Sequence, residues 1–417
     1  MANNPKNRCK RVKKFNKLIL GLSALLIVTT MVGINSVRAC ENYELNRDIP
    51  ITSSAIKGFA QWKSSNGQAY LLINAQDYYS LGYLTGKGLV NQILTMDAII
   101  KSVICSYGLN LQEILYYAQI YDLFIPMEYK NEMQGIADAT SLTYLDVLLQ
   151  EVFLDLYYGI LIPAQIGIDG VGACTALAIK NTKWHATIGQ NMDFGIIFLP
   201  TLAYVKYTVM GKQAVFSLRM GASTLAIGKN KRVSSTLTLV QTWKMANFGT
   251  PTGIKARIAF ENCKTASEFF EVMTSSYCAS WNYVISDFKG NIIAAETLPD
   301  SVIVKDLKFG ETAVRTNTYI SEALKMFLID STYSLPRQMK AEELLKTKQE
   351  SKWIVREKDL MDILCFYDGT DASICRFPDS VDPTYVCTEA FFVSSGVRKG
   401  YFGIGNPIQS TWGRIPI

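Results

Sequence analysis

The sequence predicts a layered α/β or α+β fold in which strands are bracketed by helices. Three observations carry this: residues 68–165 read mainly as helix, apolar and polar residues alternate at period two from Cys174 onward, and helical stretches return near the C-terminus. With 417 residues and 49% hydrophobic content, the chain can bury a full-sized core as one large domain or two intimately packed ones. No long Ser, Gly or Pro tract marks a linker, and no internal repeat is visible.

Taken in order, the helical half contains the apolar-rich run Tyr79 to Ile100, with Gly82, Gly86 and Gly88 as small positions. Thr143-Tyr-Leu-Asp146 then reads as a capping box that opens the apolar stretch Val147 to Tyr158. Cys174 to Lys180 and Trp184 to Gln190, joined by Asn181-Thr182-Lys183, form a β-hairpin pattern. Further strands are expected at Tyr204 to Met210, Ala214 to Arg219 and Thr236 to Gln241. A helix opened by Thr265-Ala-Ser-Glu268 precedes a second hairpin, Trp281 to Asp287 and Asn291 to Glu296, around the turn Phe288-Lys289-Gly290. Helices follow around Ser321 to Leu328 and Arg337 to Lys346, and late strands at Ala390 to Ser394 and Tyr401 to Ile404.

The formal charge of +6 traces to the first 39 residues, which carry eight Lys or Arg and no acid, leaving the remainder near −2. A basic nucleic-acid footprint is therefore not supported, and no nucleic-acid partner is expected. Residues 1–39 have the anatomy of an export signal: a basic stretch, the apolar run Leu18 to Ile34, and the small-residue site Val37-Arg38-Ala39 before Cys40. A cleaved signal peptide is the first expectation and an uncleaved membrane tether through residues 18–34 the alternative, with lipidation of Cys40 a minor one. The protein is accordingly expected to be secreted or membrane-anchored outside the cytoplasm. In such a compartment Cys263 with Cys278, or Cys365 with Cys375, are candidate disulfides beside the alternative of free buried thiols. The chain has one histidine and no Cys-x-x-Cys pair, so neither a metal site nor another cofactor is expected.

That scarcity of histidine shapes the chemistry. His185 is the sole imidazole, and Trp184-His185-Ala186-Thr187 reads as an ordinary strand face ahead of a general base. A hydrolase here needs another base, and the α-amino group of a newly exposed N-terminus, with a pKa of about 7.7–8.0, can accept a proton from a thiol on the same residue. Asp169-Gly-Val-Gly-Ala-Cys174-Thr175 supplies a Gly-containing segment running into a strand whose first residue is a thiol. A buried structural cysteine is the plainer alternative.

Gly172-Ala-Cys174-Thr-Ala-Leu followed by Gly189-Gln-Asn-Met-Asp193-Phe resembles the penicillin acyltransferase family of N-terminal-nucleophile hydrolases, peptidase family C45. Glu132-Met-Gln-Gly-Ile-Ala-Asp138, Asn282-Tyr-Val-Ile-Ser-Asp287 with Gly290 and Glu296, Thr316-Asn317, Ser334-x-x-Arg337, Ser373-Ile-Cys-Arg376 and Gly403-Ile-Gly-Asn-Pro407 are similar to family segments in the same order. Ala173 stands where Gly is commoner, and Met192 where an aromatic is.

The resemblance implies a four-layer αββα sandwich with an N-terminal helical segment. It also implies self-cleavage into an α chain ending at Ala173 (mostly helical, residues 40–173) and a β chain, residues 174–417, that stay associated. Cys174 is the implied nucleophile and Asp193 the implied support of the new amino terminus. Asn282 is the candidate oxyanion donor, with Asn191 and Asn317 as rivals. Arg376 is a candidate for binding a substrate carboxylate, with a structural ion pair as the alternative. The expected activity is amidase or acyltransferase chemistry on a small-molecule N-acyl substrate. A lipid amidase or phospholipase B-like hydrolase of ceramidase type is the alternative, for which 47 aromatic residues offer ample apolar lining. A catalytically silent binding protein of the same fold is the other.

Overall fold

A computed structural model describes residues 56–164, 173–182, 185–276, 279–329, 334–352, 354–378, 386–396 and 399–416. The expected leader, Cys40, the segment Asp169 to Gly172 and Cys278 lie outside the described residues. The chain opens with strands β1 (Gly58–Ser65) and β2 (Gln68–Ala75), then five helices: α1 (Tyr78–Gly88), α2 (Val90–Ser106), α3 (Leu111–Asp122), α4 (Met127–Thr140) and α5 (Tyr144–Leu156). Strands β3 (Thr175–Thr182), β4 (His185–Gly195), β5 (Leu202–Val209), β6 (Val215–Met220), β7 (Ser223–Lys229) and β8 (Val233–Leu239) follow. Helices α6 (Thr252–Asn262) and α7 (Ala266–Thr274) lead to β9 (Trp281–Asp287), β10 (Ile292–Leu298), β11 (Ser301–Asp306) and β12 (Thr312–Arg315). The chain ends with α8 (Glu322–Lys325), α9 (Leu335–Ser351), α10 (Glu357–Leu364), β13 (Val386–Ser395), β14 (Lys399–Ile404) and β15 (Gly413–Arg414).

The helical half departs from its sequence pattern in two places. Residues 68–75 are not helix but the second strand of an antiparallel hairpin, which pairs in parallel with β5 and so joins the nine-stranded sheet. The run Tyr79 to Ile100 is not one helix but two, bent by 83° at Leu89. The small positions explain the bend's packing: a Cβ on Gly82 would lie 1.9 Å from the Glu132 carbonyl oxygen, and one on Gly135 2.2 Å from that of Tyr79. Helices α1 and α4 therefore cross backbone to backbone, which only glycine permits. The expected capping boxes at Thr143–Asp146 and Thr265–Glu268 are both formed. No single helix among the described residues is long and apolar enough to cross a membrane.

Where the helices meet the nine-stranded sheet, a buried ionic network holds them. Glu132 Oε1 accepts from Arg219 Nη2 at 2.9 Å and Arg257 Nη1 at 2.6 Å. Glu261 accepts from Arg257 and from the hydroxyls of Tyr78, Tyr129 and Tyr207 at 2.6–3.0 Å. The segment Glu132 to Asp138 thus serves twice, anchoring two arginines and letting α1 approach.

Two sheets result, ordered β1-β2-β5-β6-β7-β8-β9-β10-β11 and β12-β3-β4-β13-β14-β15. The alternation predicted from Cys174 onward is what separates their faces. Ala176, Ala178, Ala186 and Ile188 pack inward against Val284, Ile292 and Ala294 of the larger sheet. Leu177, Ile179, Val314 and Val393 point outward onto Ala341 and Leu345 of α9 and Leu360, Ile363 and Leu364 of α10. The fold is α+β, with two sheets and an N-terminal group of helices. Strands β1, β7, β11, β12 and β15 and helices α6 and α10 lie where no element was expected, and the expected helix from Ser321 to Leu328 is only the four-residue α8.

Candidate active site

Each residue of Gly189-Gln-Asn-Met-Asp193 has an alternating duty along β4. Gln190 reaches inward, its Oε1 accepting from Leu237 N at 2.8 Å, so β4 is tied to β8 across the two sheets. Asn191 reaches outward and donates to the carbonyls of Leu364 and Ile374 at 2.7 and 3.2 Å. Met192 again faces the apolar interior, and Asp193 faces out.

The antiparallel register Thr175↔Asn191 and Ala176↔Gln190 carries the same rule to β3. Residues directly opposite share a face, so Cys174 turns inward with Met192 while Ala173 and Asp193 lie on the outer side. Main-chain bonds close the end of the ladder. Ala173 N donates to the Asp193 carbonyl oxygen at 3.1 Å, and Cys174 Sγ stands 3.8 Å from the same oxygen.

The thiol is 6% exposed. Burial, with the charge of Asp193 second, pushes its pKa up to about 12. It is a neutral thiol, and any attack by it requires a base at the moment of reaction. Two surface hollows lie elsewhere, one beside Lys206, Lys229 and Pro416 and one along Asn262, Glu268 and Glu271.

Asp193 has no exposed surface, and burial lifts its carboxyl to about 6 against the opposing pull of Arg337. Oδ1 accepts from Thr388 Oγ1 at 2.7 Å, while Oδ2 has no hydrogen-bond partner. The nearest cation is Arg337 Nη1, at 3.8 Å.

Arg337 is the residue the sequence reading did not assign to the site. Reaching in from α9, its Nη1 donates to the Ala173 carbonyl oxygen, to that of Cys174 at 2.9 Å and to Thr175 Oγ1 at 3.1 Å. Its Nη2 donates to Asn317 Oδ1 at 3.1 Å. Full burial lowers its pKa to about 10, so it stays charged at neutral pH. The peptide bond joining residues 173 and 174 is thus flanked by a fixed cation on one face and a thiol on the other. A signal existed in the sequence, because Arg337, Ala341 and Leu345 fall on one stripe of α9 and an arginine on an apolar stripe must have acceptors there.

The oxyanion candidates are less free. Asn282 Nδ2 donates to both Thr316 and Thr318 carbonyls at 2.9 Å, leaving it no N–H to offer in this arrangement. Asn191 is spent in the same way. Asn317 Nδ2 donates once, to the Leu239 carbonyl, whose residue lies against Cys174. Arg376 is buried on the outer side, where its charge acts on Asp193, and its guanidinium is 4.0 Å from Asp371. Its main chain is held by Thr388 and Asn406.

His185 sits at the far end of β4, about 26 Å from Asp193 at strand spacing, bonded to Ser395 at 3.0 Å. Cys365 and Cys375 are free thiols, near the Pro407 carbonyl and Asn406 Oδ1 respectively, so of the two alternatives the free thiols stand and that candidate bridge is not formed; Cys263 is likewise free. Among the described residues no group of three or more His, Cys, Asp or Glu is placed to hold a metal ion.

Residues 233–373 match the family model of acyl-coenzyme A:6-aminopenicillanic acid acyl-transferase. The resemblance to that acyl-transferase family holds over this third of the chain, which includes Asn282 and Arg337 and begins after Cys174 and Asp193. No curated protein matches the chain. Among solved structures, penicillin V acylase from Agrobacterium tumefaciens is 14% identical, covers 56% of this chain and 83% of its own, and has a TM-score of 0.37. Two variants of conjugated bile acid hydrolase from Clostridium perfringens are 14% and 12% identical, each covering 58% of this chain and 92% and 97% of their own, at TM-scores of 0.41 and 0.35.

Proposed function

We propose that the chain is a self-processing cysteine N-terminal-nucleophile amidase or acyltransferase, built as an αββα sandwich, that acts on linear N-acyl bonds through an acyl-enzyme at Cys174. The observation that carries this reading is the grip of Arg337 on the carbonyl oxygens of Ala173 and Cys174, with the Cys174 thiol on the opposite side of that bond.

In maturation, Sγ attacks the Ala173 carbonyl carbon, the C–N bond to Cys174 breaks, and the thiol proton passes to the departing nitrogen. Charge that develops on the Ala173 oxygen falls on the Arg337 guanidinium, already fixed and dry. Water then hydrolyses the thioester, leaving a carboxylate on Ala173, a free thiol and a new amine on Cys174. That amine emerges on the strand edge beside Asp193, whose unpartnered Oδ2 suits an ammonium. In turnover the amine takes the thiol proton as Sγ attacks the substrate carbonyl, then gives it to the departing nitrogen. Water or a second amine next removes the acyl group. Arg376, held close to Asp193, supports its ionised form; a direct contact with a substrate carboxylate is the other use its fork allows.

The test is intact-mass and N-terminal analysis of the purified protein. Two associated chains, the second beginning at Cys174, are expected; an active, folded, single uncut polypeptide would end the proposal.

One observation favours a lipid amide as the substrate. Residues 241–250 run past the end of α5, with Ala246 N bonded to the Gly159 carbonyl. This segment carries exposed Trp243 and Met245, is bonded to Phe327 beside Met326, and stacks Phe248 on Tyr117 near Leu123, Phe124 and Met127. Leu123, Met127 and Met326 are 78%, 65% and 77% exposed, so this stretch of surface is apolar where a polar one is usual. Comparing release of palmitate from N-palmitoyl ethanolamine in vesicles with release from soluble short-chain N-acyl amino acids separates the two substrate classes. The lipid reading expects the first to be faster, and expects Leu123→Ser with Met326→Ser to slow only the first.

A further inference from the structure

We propose that Tyr158 is a substrate-contacting residue, whose hydroxyl donates a hydrogen bond to the acyl carbonyl oxygen of the amide that Cys174 attacks. The inference rests on Cys174 being the nucleophile and adds a donor that the sequence did not assign.

Helix α5 does not simply end at Leu156. It widens into a single π turn, Tyr157–Leu161, a geometry that recurs where a side chain must be re-aimed at a functional site. The turn is pinned from three sides. Asp155, just before it, accepts from Thr252 N at 2.7 Å and Thr252 Oγ1 at 2.6 Å. The Gly159 carbonyl accepts from Ala246 N at 2.7 Å. Tyr157 shares its hydroxyl with that of Tyr107 at 3.1 Å, and its ring meets the Tyr158 ring edge-on at 4.9 Å and 86°. Tyr158 is therefore a fixed ring, 2% exposed, yet its hydroxyl has no hydrogen-bond partner. A buried hydroxyl left unmet is costly, and a well-clamped one is a donor waiting for an acceptor.

The surroundings say where the acceptor belongs. Cys174 lies against Leu239, Leu239 pairs with Trp281 across the β8–β9 ladder, and the Trp281 indole faces the Asp155 carboxyl one turn before Tyr158. Cys174 and Tyr158 both belong to the main buried apolar core. The two groups are close enough for charge on the thiol to act on the phenol, whose own ionisation burial pushes far out of reach, so it remains a proton donor at every working pH. The side-chain amides of Asn191 and Asn282, by contrast, are committed to main-chain carbonyls.

Division of labour follows from the two sides of β3. The Ala173 carbonyl oxygen is held by Arg337 from α9, whereas Tyr158 stands on the side toward which the thiol projects. Self-cleavage should depend on Arg337 and turnover on Tyr158.

The experiment compares wild type, Tyr158→Phe and, as a neighbouring control, Tyr157→Phe. Intact mass reports self-cleavage. Acylation of Cys174 is followed by mass and by release of chromophore from p-nitrophenyl esters and N-acyl p-nitroanilides from acetyl to palmitoyl. Expected for Tyr158→Phe is complete self-cleavage with unchanged melting temperature, and an acylation rate lowered roughly a hundred- to a thousandfold with KM little changed, as when one oxyanion donor is lost. Tyr157→Phe should acylate at the wild-type rate. Acylation of Tyr158→Phe at the wild-type rate, or an equal loss in both variants, overturns the proposal. Absence of any Cys174 adduct in the wild type, or full activity of Cys174→Ala, instead sinks the reading of Cys174 as nucleophile.

Discussion

Arg337 Nη1 donates to the Cys174 carbonyl oxygen at 2.9 Å from a position with no exposed surface. The same nitrogen also binds the Ala173 oxygen while Nη2 donates to Asn317 Oδ1, so the two prongs of one planar fork fix the guanidinium against the bond between residues 173 and 174. Arg337→Lys keeps the charge but not the fork, and Arg337→Met keeps neither. Both variants should accumulate uncut chain, with maturation slowed on the order of 10²–10³-fold, as when a fixed oxyanion donor is removed. A time course of chain cleavage by intact mass measures this.

The proposed maturation should depend on pH through Asp193. Its folded pKa, about 6, lies above the ordinary carboxylate value because the group is buried. If the ionised form supports the departing amine, cleavage quickens as pH rises from 5 to 7, half-maximal near 6, and Asp193→Asn flattens that limb. Cleavage rates read between pH 4.5 and 8 decide it. A wild-type profile with no inflection in that interval would count against the carboxylate.

The alternation beginning at Cys174 was legible because one residue in two faces α9 and α10 while the other faces the second sheet, and burial on both sides still left Thr, Lys and Gln at regular places. The β3–β4 hairpin that carries Cys174 and Asp193, and the second hairpin, were readable for the same reason. Residues 68–75 misled because Tyr70, Leu71, Leu72 and Ile73 form a short apolar run, which periodicity alone cannot divide between strand and helix. Asn282 carried the right residue type, but its two N–H groups answer main-chain carbonyls that come from residues 34 and 36 positions away. Arg337 and Tyr158 were present in segments already singled out, yet the roles proposed for them depend on which groups the fold leaves paired or unpaired.

Helix crossing at Gly82 and Gly135 is tested by Gly82→Ala and Gly135→Ala. Each new Cβ would fall about 2 Å from a carbonyl oxygen of the other helix, and the obstacle is backbone. Each substitution should therefore cost more than about 3 kcal/mol, the upper range for overpacking with backbone shift, and lower the melting temperature. The buried Glu132, Glu261, Arg219 and Arg257 network sits directly beneath, so the two variants should also loosen amide protection in α1 and α4 together.

Glu389 offers a stability test with a definite sign. Both its carboxyl oxygens are buried without partners, and burial, with Asp193 nearby, raises its pKa well above the ordinary value. The folded chain thus holds this proton more tightly than the unfolded chain does. The stabilising contribution is fully present below the unfolded pKa, about 4.3, and is lost as pH rises toward the folded one. Glu389→Gln cannot ionise, so its melting temperature relative to wild type should climb between pH 4.5 and pH 8. A difference that stays constant over that range would remove Glu389 from the account.

The pairing of β3 with β4 sets a limit on how this chain can vary in length. Added residues between Thr182 and His185 leave every other partner in place, but a single residue gained or lost between Thr175 and Lys180, or between Thr187 and Met192, exchanges inside for outside. Such a variant would retain sulfur and carboxylate while aiming each at the other's surroundings. Natural or engineered lengthening is therefore expected at the hairpin tip and not in the two arms.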